Sequence, residues 1–439
     1  MTGVHAVPLL AAALVLVSCA GPPAHARAPF LWGVSTAGHQ VEGGDRNSQW
    51  HVWGEQGRTE HRNLWATDSF RRYREDLDLA AGMNLSAYRF SVEWSRVEPE
   101  PGKFDEKAIS HYRRVASEAR ARGMTPIITL FHFAYPKWLD QSARGSPGGW
   151  ERPDAPKLFG RYATRVATAL KAEKPLWLTI NEPTVFAIFG YFLGKWPPGK
   201  RDLGATWRVL GNLMAGHGEA YAAVHRAVPG AMVSFNGMAS GVHFGQMHVL
   251  RDALEVAPKL DLLRGLAWHP ELSLMWAVRP SIAREVDYAA LDYYFPTPLG
   301  GYKYREPWDW PVYPHGIFEA VRDYSNFFRK PVLIAENGFA TRDWAPRQDG
   351  WTREAHLVAH VREVQKAREA GFQVMGYSYW SLLDNFEWGS FSPRFGLYQV
   401  NYGDEHLTRV PTRAVAFYRD IVQNDGVRDE LLRLAQAAQ

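Results

Sequence analysis

Eight short apolar, β-branched runs alternate with helix-like stretches from residue 30 onward, and no other feature restricts the fold as strongly. The runs are Phe30–Ala37, Leu85–Val92, Thr125–Phe131, Leu176–Asn181, Ala231–Gly237, Tyr288–Tyr294, Pro331–Asn337 and Val374–Leu382. A continuous apolar run such as Val332–Ala335 is how a strand covered on both faces reads, as in a parallel sheet with helices packed against it. Between the runs, Phe70–Ala81, Lys107–Arg122, Lys157–Ala172 and Leu213–Ala227 carry helical spacing. In the last of these, Leu213, His217, Ala220, Tyr221 and Val224 fall at three- and four-residue steps and share one face. Pro229-Gly230 then stops the helix before the fifth strand. No short-period repeat, low-complexity tract or Ser/Gly linker follows residue 27. The expectation is a single α/β domain over residues 27–439, folded as a (β/α)8 TIM barrel, an architecture that exceeds the usual domain length in one piece.

Such barrels keep their chemistry where strands run into the following loops. The first strand runs into Gln40, Val41 and Glu42; the second carries Arg89 and ends near Glu93-Trp94. The third ends at Phe131-His132-Phe133 and the fourth at Asn181-Glu182-Pro183. The sixth closes on Asp292-Tyr293-Tyr294, the seventh on Glu336, and the eighth on Trp380 ahead of Asp384, Glu387 and Trp388. Solvent-facing charges would not collect at one phase of the repeat, so this face is the candidate site. Glu182 and Glu336, at the carboxyl ends of strands four and seven, face each other across the barrel mouth. Two carboxyl groups so placed suit glycosidic bond cleavage, where one protonates the leaving oxygen and the other acts across the anomeric carbon. About 5–5.5 Å between them gives direct attack and retention; about 6.5–9.5 Å admits a water and inverts. The sequence carries no such distance, and a salt-bridged rim would use the same residue types.

Composition narrows the function further. With a formal net charge of +4 and no long Lys or Arg run, nucleic acid is not a suggested partner. The 18 Trp, 19 Tyr and 22 Phe exceed what is usual, and beyond the core they suit a pocket that stacks flat sugar faces. His356 and His360 stand four apart on a helix, but no Glu follows the first and no third ligand is in view, so they read as packing or surface. Asp76 and Asp78 read as an exposed helix face, and no Gly-rich phosphate loop follows a strand. Neither a metal nor a cofactor is expected.

The segments Leu178-Thr179-Ile180-Asn181-Glu182-Pro183 and Ile334-Ala335-Glu336-Asn337-Gly338 resemble the signature strands of family 1 glycoside hydrolases. The resemblance runs from Phe30 almost to the carboxyl terminus. It includes Gln40-Val41-Glu42-Gly43, Tyr88-Arg89-Phe90-Ser91, Trp94-Ser95-Arg96, Pro197-Pro198-Gly199 and Gly376 to Leu382, then Asp384 to Trp388 and Arg394-Phe395-Gly396-Leu397. It implies retaining hydrolysis of β-O-glycosides at a non-reducing-end sugar (glucose, galactose or fucose), with Glu336 as nucleophile and Glu182 as acid/base. Arg89 and Tyr294 would support the nucleophile. Gln40, His132, Asn181, Trp380, Glu387 and Trp388 would hold the sugar of a small β-glycoside or oligosaccharide, and a carboxylate at Glu387 would repel a 6-phosphate. The alternatives are a transglycosylase of the same fold and a non-catalytic carbohydrate-binding lipoprotein. Two positions depart from the family's pattern. Phe133 stands where Trp is usual, and Asp292 stands where Asn is usual, next to the nucleophile. An ionised Asp292 would raise the proton affinity of Glu336, so it is expected protonated, paired with a group such as Arg89, or turned away. The leaving group would be read by variable loops such as Lys195–Leu203 and Thr341–Gly350.

Residues 1–26 read as an export signal, and so the protein as exported, either a bacterial envelope lipoprotein or a secreted or periplasmic enzyme. Leu9–Val17 is apolar but too short for a permanent membrane span. Ala24-His25-Ala26 is a small-x-small cleavage site, while Leu16-Val17-Ser18-Cys19 resembles the bacterial lipobox. Cys19 is the only cysteine, so the mature domain has no disulfide, and a lipid on Cys19 would be the only membrane attachment. Mass spectrometry of the processed amino terminus is expected to find a lipidated Cys19; an unmodified start at Arg27 would show simple secretion instead.

Overall fold

The computed structural model describes residues 29–141, 147–240, 242–243, 269–298 and 306–437. The segment read as an export signal with a possible lipobox, residues 1–26, lies outside the described residues. Eight parallel strands close into a barrel: β1 (Leu31–Ser35), β2 (Ala87–Ser91), β3 (Thr125–Phe131), β4 (Leu176–Asn181), β5 (Met232–Met238), β6 (Ala289–Asp292), β7 (Val332–Asn337) and β8 (Val374–Trp380). They follow one another round the barrel in chain order, and β8 returns to pair with β1 from Leu31↔Gly376 to Ser35↔Trp380. All eight expected strands are present; β3 and β4 keep the expected bounds, β5 lies one residue further on, and the others are trimmed at their ends. A helix follows each one: α1 (Ser69–Ala81), α2 (Glu106–Ala121), α3 (Ala155–Leu170), α4 (Leu203–Ala227), α5 (Pro270–Val278), α6 (His315–Phe328), α7 (Arg353–Glu369) and α8 (Arg413–Gln423).

Helix starts follow local chemistry. Asp105 caps α2 by accepting from the backbone N–H groups of Lys107 and Ala108, and Asp202 caps α4 by accepting from Ala205. That second cap starts the helix at Leu203, ten residues ahead of the expected start at Leu213. The first turns of α4 expose Leu203 and Trp207, so the apolar spacing there does not mark one buried face.

The core has two shells. Val332 and Ile334 of β7 pack outward against the helices, whereas Leu333 and Ala335 join Ala87, Ile127, Leu178 and Tyr288 inside the barrel. Leu333, Ile127 and Leu178 are fully buried, each contributing roughly 1.5–3 kcal/mol. Asp76, expected to be exposed, is buried: it accepts from the Ser69 hydroxyl at 2.6 Å and pairs with Arg409 at 3.2 Å. Arg409 lies more than 300 positions away, so no local pattern around α1 could reveal it. Asp78 stays largely exposed, at 2.7 Å from Arg122. His356 and His360 are both buried on α7, stacked with ring centres 3.8 Å apart, a packing role.

Strict alternation along β7 would send Glu336 outward with Val332 and Ile334. It does not go there. Leu291 pairs with Ile334, but the next residue, Asp292, pairs with Glu336, so β7 carries one extra residue at Ala335. The same irregularity shows against β8, where Tyr377 and Tyr379 pair with Ile334 and Asn337. A bulge of this kind re-aims the following side chain. The Ser35 hydroxyl, fully buried on β1, donates to the carbonyl of the extra residue, Ala335, at 2.6 Å. Ser35→Ala leaves that buried carbonyl unpaired. It is expected to lower unfolding stability by about 1–3 kcal/mol, read from the denaturant midpoint.

Candidate active site

β4 and β7 deliver the two carboxyl groups. β4 also gains a residue on its neighbour: Leu178 to Asn181 runs opposite Ser234 to Asn236 of β5. Glu182 then takes a left-handed backbone, φ +39°, with its N–H donating to the carbonyl of Asn236 at 2.8 Å. A non-glycine residue pays for that conformation, and such strain collects at functional sites. Phe133 after β3 (φ +63°) and Trp388 after β8 (φ +46°) share it. Single carboxylate oxygens of Glu182, Asp292 and Glu336 all lie within 4.8 Å of one another.

Glu336 is held at both oxygens. Arg89 donates to Oε1, and the Tyr294 hydroxyl donates to Oε2 at 2.7 Å. Arg89 is fully buried and spends its other donors on Asn181 Oδ1 at 2.6 Å and Thr129 Oγ1 at 3.0 Å. Arg89 thus does not hydrogen-bond Asp292, the partner suggested for that residue. Asn236 of β5 takes that place: its side-chain amide donates to Asp292 Oδ2 and to Asn181 Oδ1. Burial, then the negative charges of Glu336 and Glu182, push Asp292 well above the usual carboxylate range. Asp292 therefore sits beside Glu336 with its proton held more tightly than an ordinary carboxyl group holds one. Burial and Glu336 push Glu182 up in the same way.

Around these groups lies a cleft of about 890 Å³. Glu182, Glu336, Asn181 and Tyr294 line it, and so do His132, Trp380, Glu387 and Trp388. Arg89, Asp292 and Gln40 stand behind this wall and act through what they hold. Gln40 donates to Asn385 at 2.9 Å and to Glu387 at 3.1 Å. The His132 ring lies nearly parallel to both Trp380 and Trp388, each 5.7 Å away between ring centres. Burial and the charge of Arg89 hold His132 well below its usual pKa, so it presents a neutral imidazole. Burial and Glu336 push Glu387 up to about 8. Below that pH it faces the cleft mainly as a neutral acid, and the repulsion expected toward a phosphate acts as charge only above it. The sequence reading missed Asn236, Thr129 and Asn385. Asn236 did carry a signal, a polar residue at the end of the fifth apolar run, in phase with the other strand ends.

The fold and this site together define a barrel with a buried carboxyl pair in an aromatic-lined cleft, the arrangement of a candidate glycosidase site. The sequence profile of glycosyl hydrolase family 1 matches residues 24–255 and 301–427. Beta-glucosidase A of Thermotoga maritima is 29% identical over 453 residues, covering 91% of this chain and 98% of that protein. A beta-galactosidase of Saccharolobus solfataricus is 27% identical, covering 92% and 96%. Among solved structures, the family 1 β-glucosidase of Thermotoga maritima in complex with isofagomine lactam superposes with a TM-score of 0.77 at 27% identity, covering 92% of this chain and all of that one. The chain belongs to glycosyl hydrolase family 1 and is a glycoside hydrolase.

The charge of Glu182 is one of the causes that raise Asp292, so the two carboxyl groups titrate together. Asp292→Asn removes that partner. The variant is expected to stay within a few-fold of the parent near pH 5–6 and to lose activity at lower pH on the alkaline side of its kcat/KM profile. An unchanged alkaline limb would show that Asp292 is not coupled to the acid/base.

Proposed function

We propose that the protein hydrolyses β-O-glycosidic bonds at non-reducing-end sugars with retention of configuration, through a covalent glycosyl-enzyme. The observation that carries this reading is the carboxyl pair: oxygens of Glu182 and Glu336 within 4.8 Å, with donors from Arg89 and Tyr294 on both oxygens of Glu336. Carboxyl groups this close favour direct attack; the wider spacing that seats a water between them belongs to inversion.

Glu336 attacks the anomeric carbon as the glycosidic bond breaks, and its two donors steady the negative charge until it is shared with the sugar. Glu182, whose hold on its proton is strengthened by burial and by Glu336, gives it to the leaving oxygen. Once Glu336 is esterified, the charge that raised Glu182 is gone. Glu182 then takes a proton from water, which attacks the anomeric carbon and releases the sugar with its original configuration. Asn181, fixed by Arg89 and Asn236 at its oxygen, has its amide nitrogen buried without another partner, ready for a sugar hydroxyl. His132 and Glu387, the latter held by Gln40 from behind, complete the hydroxyl contacts; Trp380 floors the ring, and Trp388 offers an indole N–H.

The relatives named as β-glucosidases and β-galactosidases support glucosides and galactosides as the first substrates to test, with fucosides beside them. Residues 1–26 support action outside the cytoplasm. Glu336→Ala is expected to abolish turnover of 4-nitrophenyl β-glucoside and β-galactoside. Glu182→Ala should slow cleavage of a poor leaving group by roughly 10²–10⁴-fold, the share general acid catalysis carries. NMR of the first-released sugar should show the β anomer; α product would overturn retention, and transfer to added acceptor without hydrolysis would mark a transglycosylase.

A further inference from the structure

We propose that Glu271 reads the leaving group: its carboxylate, set into the cleft wall by His269 and Tyr324, accepts hydrogen bonds from the hydroxyls of a second sugar beyond the scissile bond. This rests on the glycosidase reading of the cleft.

Glu271 lies in the first turn of α5 and lines the same cleft as Glu182 and Glu336. α5 packs against the short helix Pro183–Ala187 that directly follows Glu182. A general acid faces the leaving oxygen, so this side of the cleft faces the leaving group. The cleft is also lined by the apolar side chains of Val185, Ile188, Leu274 and Phe295. A carboxylate in a cleft with such a lining is the kind of group that sets a ligand's orientation, while the aromatic faces of Phe133 and Trp196 give a sugar ring something to lie on.

The support behind Glu271 is elaborate for a mere prop. One oxygen, Oε1, takes both bonds, from His269 Nδ1 at 3.1 Å and from the Tyr324 hydroxyl at 3.2 Å. Among the described residues no hydrogen bond reaches Oε2. His269 is buried and turns its Nε2 to Asp323 at 3.2 Å, which Arg322 holds in turn at 2.8 Å. Burial opposes charge on His269, but Glu271 and Asp323 on either side outweigh it and push its pKa up to about 10. His269 is thus a cation that orients Glu271, a positioning residue. Burying such a string costs desolvation that an apolar wall would not incur, and replacing buried ion pairs by apolar groups is often stabilising. Stability alone does not call for it here, and recognition does. Hydroxyl-to-carboxylate bonds are charge-assisted and directional, which suits a sugar over a plain hydrocarbon leaving group.

The test is a cycle of two proteins and two substrates: parent and E271Q, each with cellobiose and with cyclohexyl β-glucoside, whose leaving group has the ring but none of the hydroxyls. E271Q is expected to lower kcat/KM for cellobiose roughly ten- to hundredfold more than for the cyclohexyl glucoside, the range a charge-assisted hydrogen bond carries. E271D, which keeps the charge but shortens its reach, should lose part of the same preference with the loss in KM more than in kcat. Equal losses on both substrates in both variants would make Glu271 a structural prop and overturn the proposal. So would an unchanged preference. Failure of the parent to hydrolyse either substrate would instead overturn the glycosidase reading beneath it.

Discussion

The buried guanidinium of Arg89 makes the rest of this site possible. A carboxylate taken out of water costs several kcal/mol unless it is paired, and removing one partner of a buried pair costs about 3–5 kcal/mol. Arg89 meets Glu336 on one side and fixes Asn181 and Thr129 on the other, so a single planar cation ties β2, β3, β4 and β7 together at the barrel mouth. Its fork geometry matters as much as its charge, because three partners on three strands are held in fixed directions.

The other two carboxyl groups of the cluster solve the same problem differently. With Arg89 committed elsewhere, Glu182 and Asp292 hold their protons more tightly than ordinary carboxyl groups, pushed up by burial and by Glu336. The proposed chemistry rests on that division: one carboxyl group with donors on both oxygens, and one whose hold on its proton is raised. Asn236 makes Asp292 tolerable by donating to it, and the same amide steadies Asn181. Asp292 is thus held by a neighbouring strand, while Glu336 keeps its bonds to Arg89 and Tyr294.

The mouth of the barrel also carries strain. Glu182, Phe133 and Trp388 hold left-handed backbones that cost about 1–3 kcal/mol each in non-glycine residues. The two apolar shells offset this, and the strained residues are those that turn side chains into the cleft. Gly338 shows how tight the packing is: a Cβ there would meet the carbonyl oxygen of Trp380 at 1.9 Å, so only glycine lets the exit of β7 pass under the end of β8.

The barrel was legible in the sequence because each βα unit declares itself locally, through a run of apolar residues and a helical face. The strand-end chemistry was legible for a related reason: polar residues recur at one phase of that repeat, and the motifs around Glu182 and Glu336 resemble a known family. What the sequence could not express were contacts between units. Period-two alternation would place Glu336 against the helices; only the extra residue at Ala335, braced by Ser35 from another strand, turns it into the cleft. Asp76 looked exposed until Arg409 reached it from the far end of the chain. The state of Asp292 depended on burial beside Glu336 and Glu182 from other strands, and the setting of Glu271 on Asp323 and Tyr324 of α6, more than fifty positions on. Sequence thus determined the strands, the helices and the residue types at the barrel mouth. The aim and protonation of each side chain arise from register and from neighbours distant in the chain, and so were decided by the tertiary structure.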